Sequence, residues 1–241
     1  MKPEFGEKYF DNLMPSLIKS LDDGVERVAS HTLACLTNLF EDFPDVTRIE
    51  QYIGDMLPKM LLHLQSGRTW KQENAVAALA SLATNEGCLG PNLTSMVEAV
   101  SQTVEQCKGK PTHTQLLSQC FETLSMVLSQ QPKGEVAHYL SGFTEQLYHC
   151  RKNMSTSYFL AAWNRLCHAF DNFAPLDQFF PEILSLTKTM AIDASDEDIE
   201  GALDAISQTF KSFGPATAGY SEEVYQLAFD IVDKEYSHDT K

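Results

Sequence analysis

The sequence predicts an all-helical chain built as an α-solenoid, and three observations carry that prediction. Apolar residues recur at helical spacing along most of the chain, and no useful length alternates with a period of two. Two kinds of helix take turns, one bearing a proline and one not. Equivalent apolar positions also return at a nearly constant interval: Leu36, Leu82, Leu124, Leu166 and Phe210 are 46, 42, 42 and 44 residues apart.

The elements follow in order. A first helix is expected over 7–21, where "NLMPSLIKSLDD" sets Leu13, Leu17 and Leu21 beside Met14 and Ile18 and carries Pro15. Its partner, 25–42, aligns Val28, Leu33, Leu36 and Leu39. The next first helix, 47–65, repeats the pattern in "MLPKMLLHL", with Pro58 before Met60, Leu61, Leu62 and Leu64. The second helix over 69–86 presents Ala75, Ala78, Leu79 and Leu82. The pair 92–107 and 113–130 lacks proline in its first member and aligns Leu117, Phe121, Leu124 and Leu128 in its second. In the pair 134–150 and 155–172, Gly142 stands where proline stood, and Phe159, Trp163, Leu166 and Phe170 share a face. The pair 176–191 and 198–214 has Pro181 before Ile183, Leu184 and Leu186, then Ala202, Ile206, Thr209 and Phe213. A last first-type helix is expected over 221–236. Thr112 with Gln115, and Ser195 with Asp198, have capping-pair spacing, although the second pair equally fits a position in the loop.

Two helices in a unit of about 40–47 residues is the signature of HEAT or armadillo repeats. The absence of a third short helix and the proline in the first helix favour HEAT. The fold class is therefore an all-α HEAT-repeat α-solenoid, a right-handed superhelix of antiparallel helix pairs. No Pro/Gly/Ser-rich linker interrupts it. The expectation is one domain over 1–241, about five repeats plus a terminal helix, with pairs near 7–43, 47–87, 92–131, 134–173 and 176–214. A proline on the outer side of a first helix bends it around its neighbours, and apolar contacts offset the lost hydrogen bond. The first pair begins at once and the last helix has no partner in sequence, so a segment of a longer protein is expected.

Composition narrows the chemistry. The apolar fraction of 43% supports a sizeable core. The formal net charge of −15 disfavours nucleic acid and acidic membrane surfaces and favours basic partners, although solubility alone also accounts for it. The six cysteines form no C-x-x-C and mostly lie in apolar helical patterns, which fits a reducing compartment. No apolar h-region opens the chain and no apolar run approaches a membrane span, so neither a signal peptide nor a membrane helix is expected. "NLT" at 92 and "NMS" at 153 read as chance matches to the glycosylation pattern. His149–Cys150 and Cys167–His168 are adjacent pairs that diverge on a helix, so no zinc site is expected. "CKGKPT" (107–112) lacks the first glycine and the strand of a phosphate loop and reads as an interhelix turn. The chain is expected to have no cofactor and no catalytic activity.

The candidate binding residues lie on the second helices and their leading loops: Asp22, Asp23, Glu26, Glu73, Glu122, Glu200 and Asp204. Facing inward, they offer an acidic trough to Lys/Arg peptides. Trp70 and Trp163 supply faces for a lysine stem or an arginine plane, at roughly 0.5–2 kcal/mol each. Each also has a plainer reading. Trp163 shares the face of Leu166 and Phe170 and equally belongs to the core, Trp70 opens a helix beside Arg68 and Lys71, and any one acid also fits a solvated face.

Two stretches carry a family resemblance. "RVASHTLACLTNLFEDFP" resembles the helix-plus-loop pattern R-V-x-x-H-x-x-x-x-L-x-N-F-x-E-D-x-P of importin-β-like nuclear import receptors of the importin-five type. "SYFLAAWNRLCHAF", with Ser157, Tyr158, Ala162 and Trp163, followed by "FFPEILSLTKTMAI", resembles a later stretch of the same receptors. "DASDEDIE" sits where those receptors carry a much longer acidic insertion. The resemblance implies a receptor shuttling between cytoplasm and nucleus. Its second helices would line a concave surface for basic, Lys/Arg-rich cargo, and its first helices would take FG-repeat nucleoporins on the convex side. The small GTPase Ran would be held only through repeats that have no counterpart here. The alternative is a HEAT scaffold that organises a protein complex through ridge-exposed apolar and loop residues.

Overall fold

The computed structural model describes residues 3–42, 45–85, 88–130, 133–169, 180–193 and 214–238, together with Asp204, Ser207, Phe210 and Lys211. Among them every regular element is helical. Ten α-helices follow in order: α1 (Pro3–Ser20), α2 (Glu26–Asp42), α3 (Val46–Leu64), α4 (Thr69–Ala83), α5 (Leu93–Cys107), α6 (Thr114–Gln130), α7 (Lys133–Cys150), α8 (Thr156–Ala169), α9 (Phe180–Asp193) and α10 (Ser221–His238). The fold is HEAT-like: α1 packs against α2, α3 against α4, α5 against α6 and α7 against α8. The chain divides into two compact units, Met1–Gln131 and Pro132–Lys241.

The first unit holds three complete pairs. The second helices α2, α4 and α6 pack side by side as one layer, and the first helices α1, α3 and α5 form the other. The core lies between the layers and includes Phe10, Met14, Leu33, Leu36, Met56, Met60, Leu79, Leu82, Met96 and Leu124. The turns within the second and third pairs close on Gly67 (φ 71°) and Gly109 (φ 74°), a left-handed conformation that a Cβ disfavours.

The layers are fastened differently. Second helices meet through small and buried polar residues: Asn74 donates to Ser30, Ser81 donates to Glu41 at 3.1 Å, and Ala78 between them is fully buried. First helices are tied by longer polar side chains. Arg48 on α3 bonds Asp11 on α1 at 2.7 Å, Tyr52 donates to the same carboxylate at 3.2 Å, and Lys59 pairs with Asp22. Lys59 and His63 also reach the Ile18 and Leu21 carbonyls at the end of α1, which the helix itself leaves without partners. Buried Gln72 donates to the Leu64 carbonyl at the end of α3 in the same way, at 2.8 Å.

The prolines separate into two cases. Pro15 and Pro58 lie inside α1 and α3 and are exposed, as expected of an outer face. Pro181 falls in the first turn of α9, where the missing N–H is not needed and no bend is required. The expected capping pair Thr112–Gln115 does not form. Pro111–His113 makes a 3₁₀ turn, α6 starts at Thr114, and the Thr112 hydroxyl bonds the His113 ring at 3.0 Å. Ser195 and Asp198 lie outside the described residues.

In the second unit α7 packs on α8, α8 on α9 and α9 on α10. Its core includes Val136, Leu140, Leu147, Phe159, Trp163, Leu166, Phe180 and Leu184. Phe180 stacks edge-on against Phe210 and Tyr220, with ring centroids 5.4 and 4.9 Å away. Tyr148 and Arg151 at the end of α7 both bond Glu182 on α9, and Arg151 lies 4.0 Å over the Tyr148 ring.

Candidate functional site

The candidate site is the outward face of the second-helix layer in the first unit. Helical spacing sets Trp70, Glu73, Ala77 and Ala80 on one side of α4, within about 80° of one another. The flanking helices stand on either side. Thr37 and Glu41 from α2, and Gln119, Glu122, Thr123 and Met126 from α6, enclose a cleft of about 230 Å³ above Val76, Ala77, Ala80 and Ser81. The sequence dictates this shape. α4 reads "AVAALASLA" over its last nine residues, so its backbone lies low between two helices with longer side chains. Glu41 is held in place by the Ser81 hydroxyl, which bonds it at 3.1 Å. The amide oxygen of Gln119 is buried with no hydrogen-bond partner among the described residues.

The expected residues divide by location. Glu73 is half-buried on α4 and Glu122 lines the cleft. Trp70 is 40% exposed at the start of α4, one turn before Glu73. Trp163 is 0% exposed, in contact with the Phe159 ring 6.0 Å away, so it belongs to the core and offers no face to a ligand. Glu26 faces Arg68 at 3.0 Å, which neutralises it locally. Asp22 is engaged by Lys59, and Asp23 accepts from the Val25 N–H at 2.8 Å as a turn residue. Asp204, in the second unit, is exposed and accepts from Asn164 at 2.6 Å. Glu200 lies outside the described residues. Of the expected acids among the described residues only Glu122 lines the cleft over α4, with Glu41 on the other wall, while Glu73 lies further toward the start of α4. Glu41 and Gln119 were not anticipated. Register offered a signal for Gln119, which follows Ala77 by 42 residues on the next second helix, and none for Glu41.

Cys88, Cys107, Cys120 and Cys150 are buried, and Cys35 is exposed. Burial, reinforced by Glu50, pushes the Cys88 thiol up to about 12, and burial raises Cys107 and Cys120 as well. Among the described residues no three His, Cys, Asp or Glu side chains gather to hold a metal ion, and no helix is long and apolar enough to cross a membrane.

No protein-family model matches the chain. Over 179 residues it is 26% identical to the importin subunit beta-3 of Saccharomyces cerevisiae (strain ATCC 204508 / S288c). That match covers 69% of this chain and 16% of the relative, so the chain spans a small part of the relative's length. Together with the paired-helix fold, the similarity supports a relationship to the importin-β family without distinguishing among its subtypes.

Proposed function

We propose that this chain is a HEAT-repeat segment of an importin-β-like nuclear import receptor of the importin-five type. It holds basic protein segments on its second-helix face. The observation that carries the reading is the cleft over α4, whose walls bear Glu41 and Glu122, in a chain similar to a named importin subunit. In this reading the 43-residue period makes both units one repeat array, and FG-repeat nucleoporins dock along first helices. Ran is engaged only by repeats outside this segment, and the receptor moves between cytoplasm and nucleus. The segment carries no catalytic step.

The test is binding of a labelled Lys/Arg-rich peptide at low and at moderate salt. Micromolar binding that weakens as salt rises, and weakens again in Glu73→Lys and Glu122→Lys, is the expected result. Binding indifferent to salt points instead to a scaffold using apolar contacts. Absence of binding at low salt overturns the basic-cargo reading for this segment.

A further inference from the structure

We infer that the edge formed by the turns of the second and third helix pairs is a docking surface for a short acidic peptide, one rich in Asp or Glu. It lies at the starts of α4 and α6, apart from the cleft that the basic-cargo reading uses, and goes beyond that reading.

The sequence segregates the charge. The chain carries 33 Asp and Glu against 18 Lys and Arg. Yet residues 65–71, "QSGRTWK", and 107–113, "CKGKPTH", hold Arg68, Lys71, Lys108, Lys110 and His113 and no acid. The fold brings the two stretches together. α4 and α6 pack side by side, and the Thr69 hydroxyl lies 3.3 Å from Nε2 of the His113 ring. No side chain caps α4 at Arg68 or the 3₁₀ turn at Lys110. The positive end of the α4 dipole therefore adds to the charge of this edge.

The protein's own acids show which ligand suits it. Two of the four cations already hold carboxylates: Glu26 lies 3.0 Å from Arg68, and Glu105 lies 3.8 Å from Lys108. Lys71 and Lys110 pair with no acid among the described residues. Each ammonium asks for an acceptor without the paired geometry of a guanidinium, so carboxylates on a flexible chain can meet them singly. Exposed Trp70, beside Lys71, supplies an apolar ring for the peptide's alkyl stems.

A peptide fits this edge better than a nucleic acid because acids border it. Asp23 and Glu26 stand at the preceding turn, Glu73 follows on α4, and Glu105 precedes on α5. A nucleic acid carries charge at every phosphate and would have to run across these acids, on a chain of net charge −15. A peptide can place a few carboxylates on the cations alone.

The experiment measures fluorescein-labelled nonaglutamate by anisotropy on the whole chain, at low and moderate salt, beside a labelled nonathymidylate oligonucleotide. Saturable binding of nonaglutamate that weakens as salt rises is expected. Lys71→Gln and Lys110→Gln should each weaken it about threefold, and together about tenfold. Lys211→Gln removes an exposed cation of the second unit and should change it less than about twofold. The oligonucleotide should bind about fivefold more weakly than the peptide. Absence of peptide binding, binding unchanged in the double variant, an equal loss in Lys211→Gln and Lys110→Gln, or an oligonucleotide that binds as tightly as the peptide overturns the acidic-peptide surface. None of these outcomes touches the basic-cargo reading, which Glu122→Lys tests with a Lys/Arg-rich peptide. Thermal melts of each variant separate loss of binding from loss of fold.

Discussion

Ala77 and Ala78 are neighbours in sequence with opposite duties, and enlarging each in turn tests how the second-helix layer is built. Ala78 is fully buried between two contacts that α4 makes with α2, Asn74 to Ser30 and Ser81 to Glu41. Ala78→Leu adds three carbons. If space existed, burying them would stabilise by about 2.4 kcal/mol, at roughly 0.8 kcal/mol per methylene. No space exists beside a side chain of zero exposure, so α4 and α2 must part and both flanking hydrogen bonds stretch. Overpacking of this kind costs about 1–3 kcal/mol net. With a urea dependence of about 2 kcal/mol per molar, a loss of 2 kcal/mol lowers the urea midpoint by about 1 M. Ala77→Leu points into the open cleft and should leave the unfolding free energy within about 0.5 kcal/mol of the parent. Far-UV circular dichroism during urea titration measures both. An unchanged or raised midpoint in Ala78→Leu would refute the claim that α4 needs small residues to sit against α2.

Other expectations follow from the same packing. Trp163→Ala should cost about 3–5 kcal/mol and alter peptide binding only through loss of fold, because the ring is wholly buried; a stable variant that has lost binding would return Trp163 to the ligand face. Under native conditions N-ethylmaleimide should modify Cys35 first among Cys35, Cys88, Cys107, Cys120 and Cys150, as peptide mapping by mass spectrometry would record, since only Cys35 is exposed. Hydrogen bonds from Tyr148 and then Arg151 hold the Glu182 carboxyl below its ordinary value of 4.5. Its contribution to stability is therefore complete above that value and is lost as pH falls through the lowered folded-state value. Glu182→Gln should accordingly flatten the acid side of the stability profile, and an unchanged acid slope would contradict it. Pro58→Ala should raise the thermal midpoint, because the exposed ring is replaced by an N–H that can bond the Gly54 carbonyl one turn back. A lowered midpoint would mean that the bend itself is needed for packing.

The fold class was legible because the period is written twice, once in the leucine column and once in the alternation of helix types. α4 is the instructive element. Its core face is built largely of alanine, yet Leu79 and Leu82 keep the register, and the helix runs Thr69–Ala83 against an expected 69–86. Local turn chemistry was less legible. Pro111 forces a 3₁₀ turn and moves the start of α6 past Thr112, so the capping pair is out of place. The site was only partly legible. Acids in the leading loops looked available, but Asp22 and Glu26 are engaged by Lys59 and Arg68, which lie 37 and 42 residues further along the chain. A sequence shows neither partner as near. Trp163 was ambiguous because an aromatic at helical spacing serves a core and a stacking face equally well, and only burial separates them.

The unequal fastening of the two layers in the Met1–Gln131 unit has a mechanical consequence. The second-helix side is joined by close contacts between small side chains, which resist both compression and separation. The first-helix side is joined partly by exposed charge pairs such as Arg48–Asp11 and Lys59–Asp22, which salt screens and which can lengthen at small cost. Such a unit flexes about a stiff spine. Its compliance is concentrated on one side, it softens as ionic strength rises, and the cleft over α4 rides on the side that moves least.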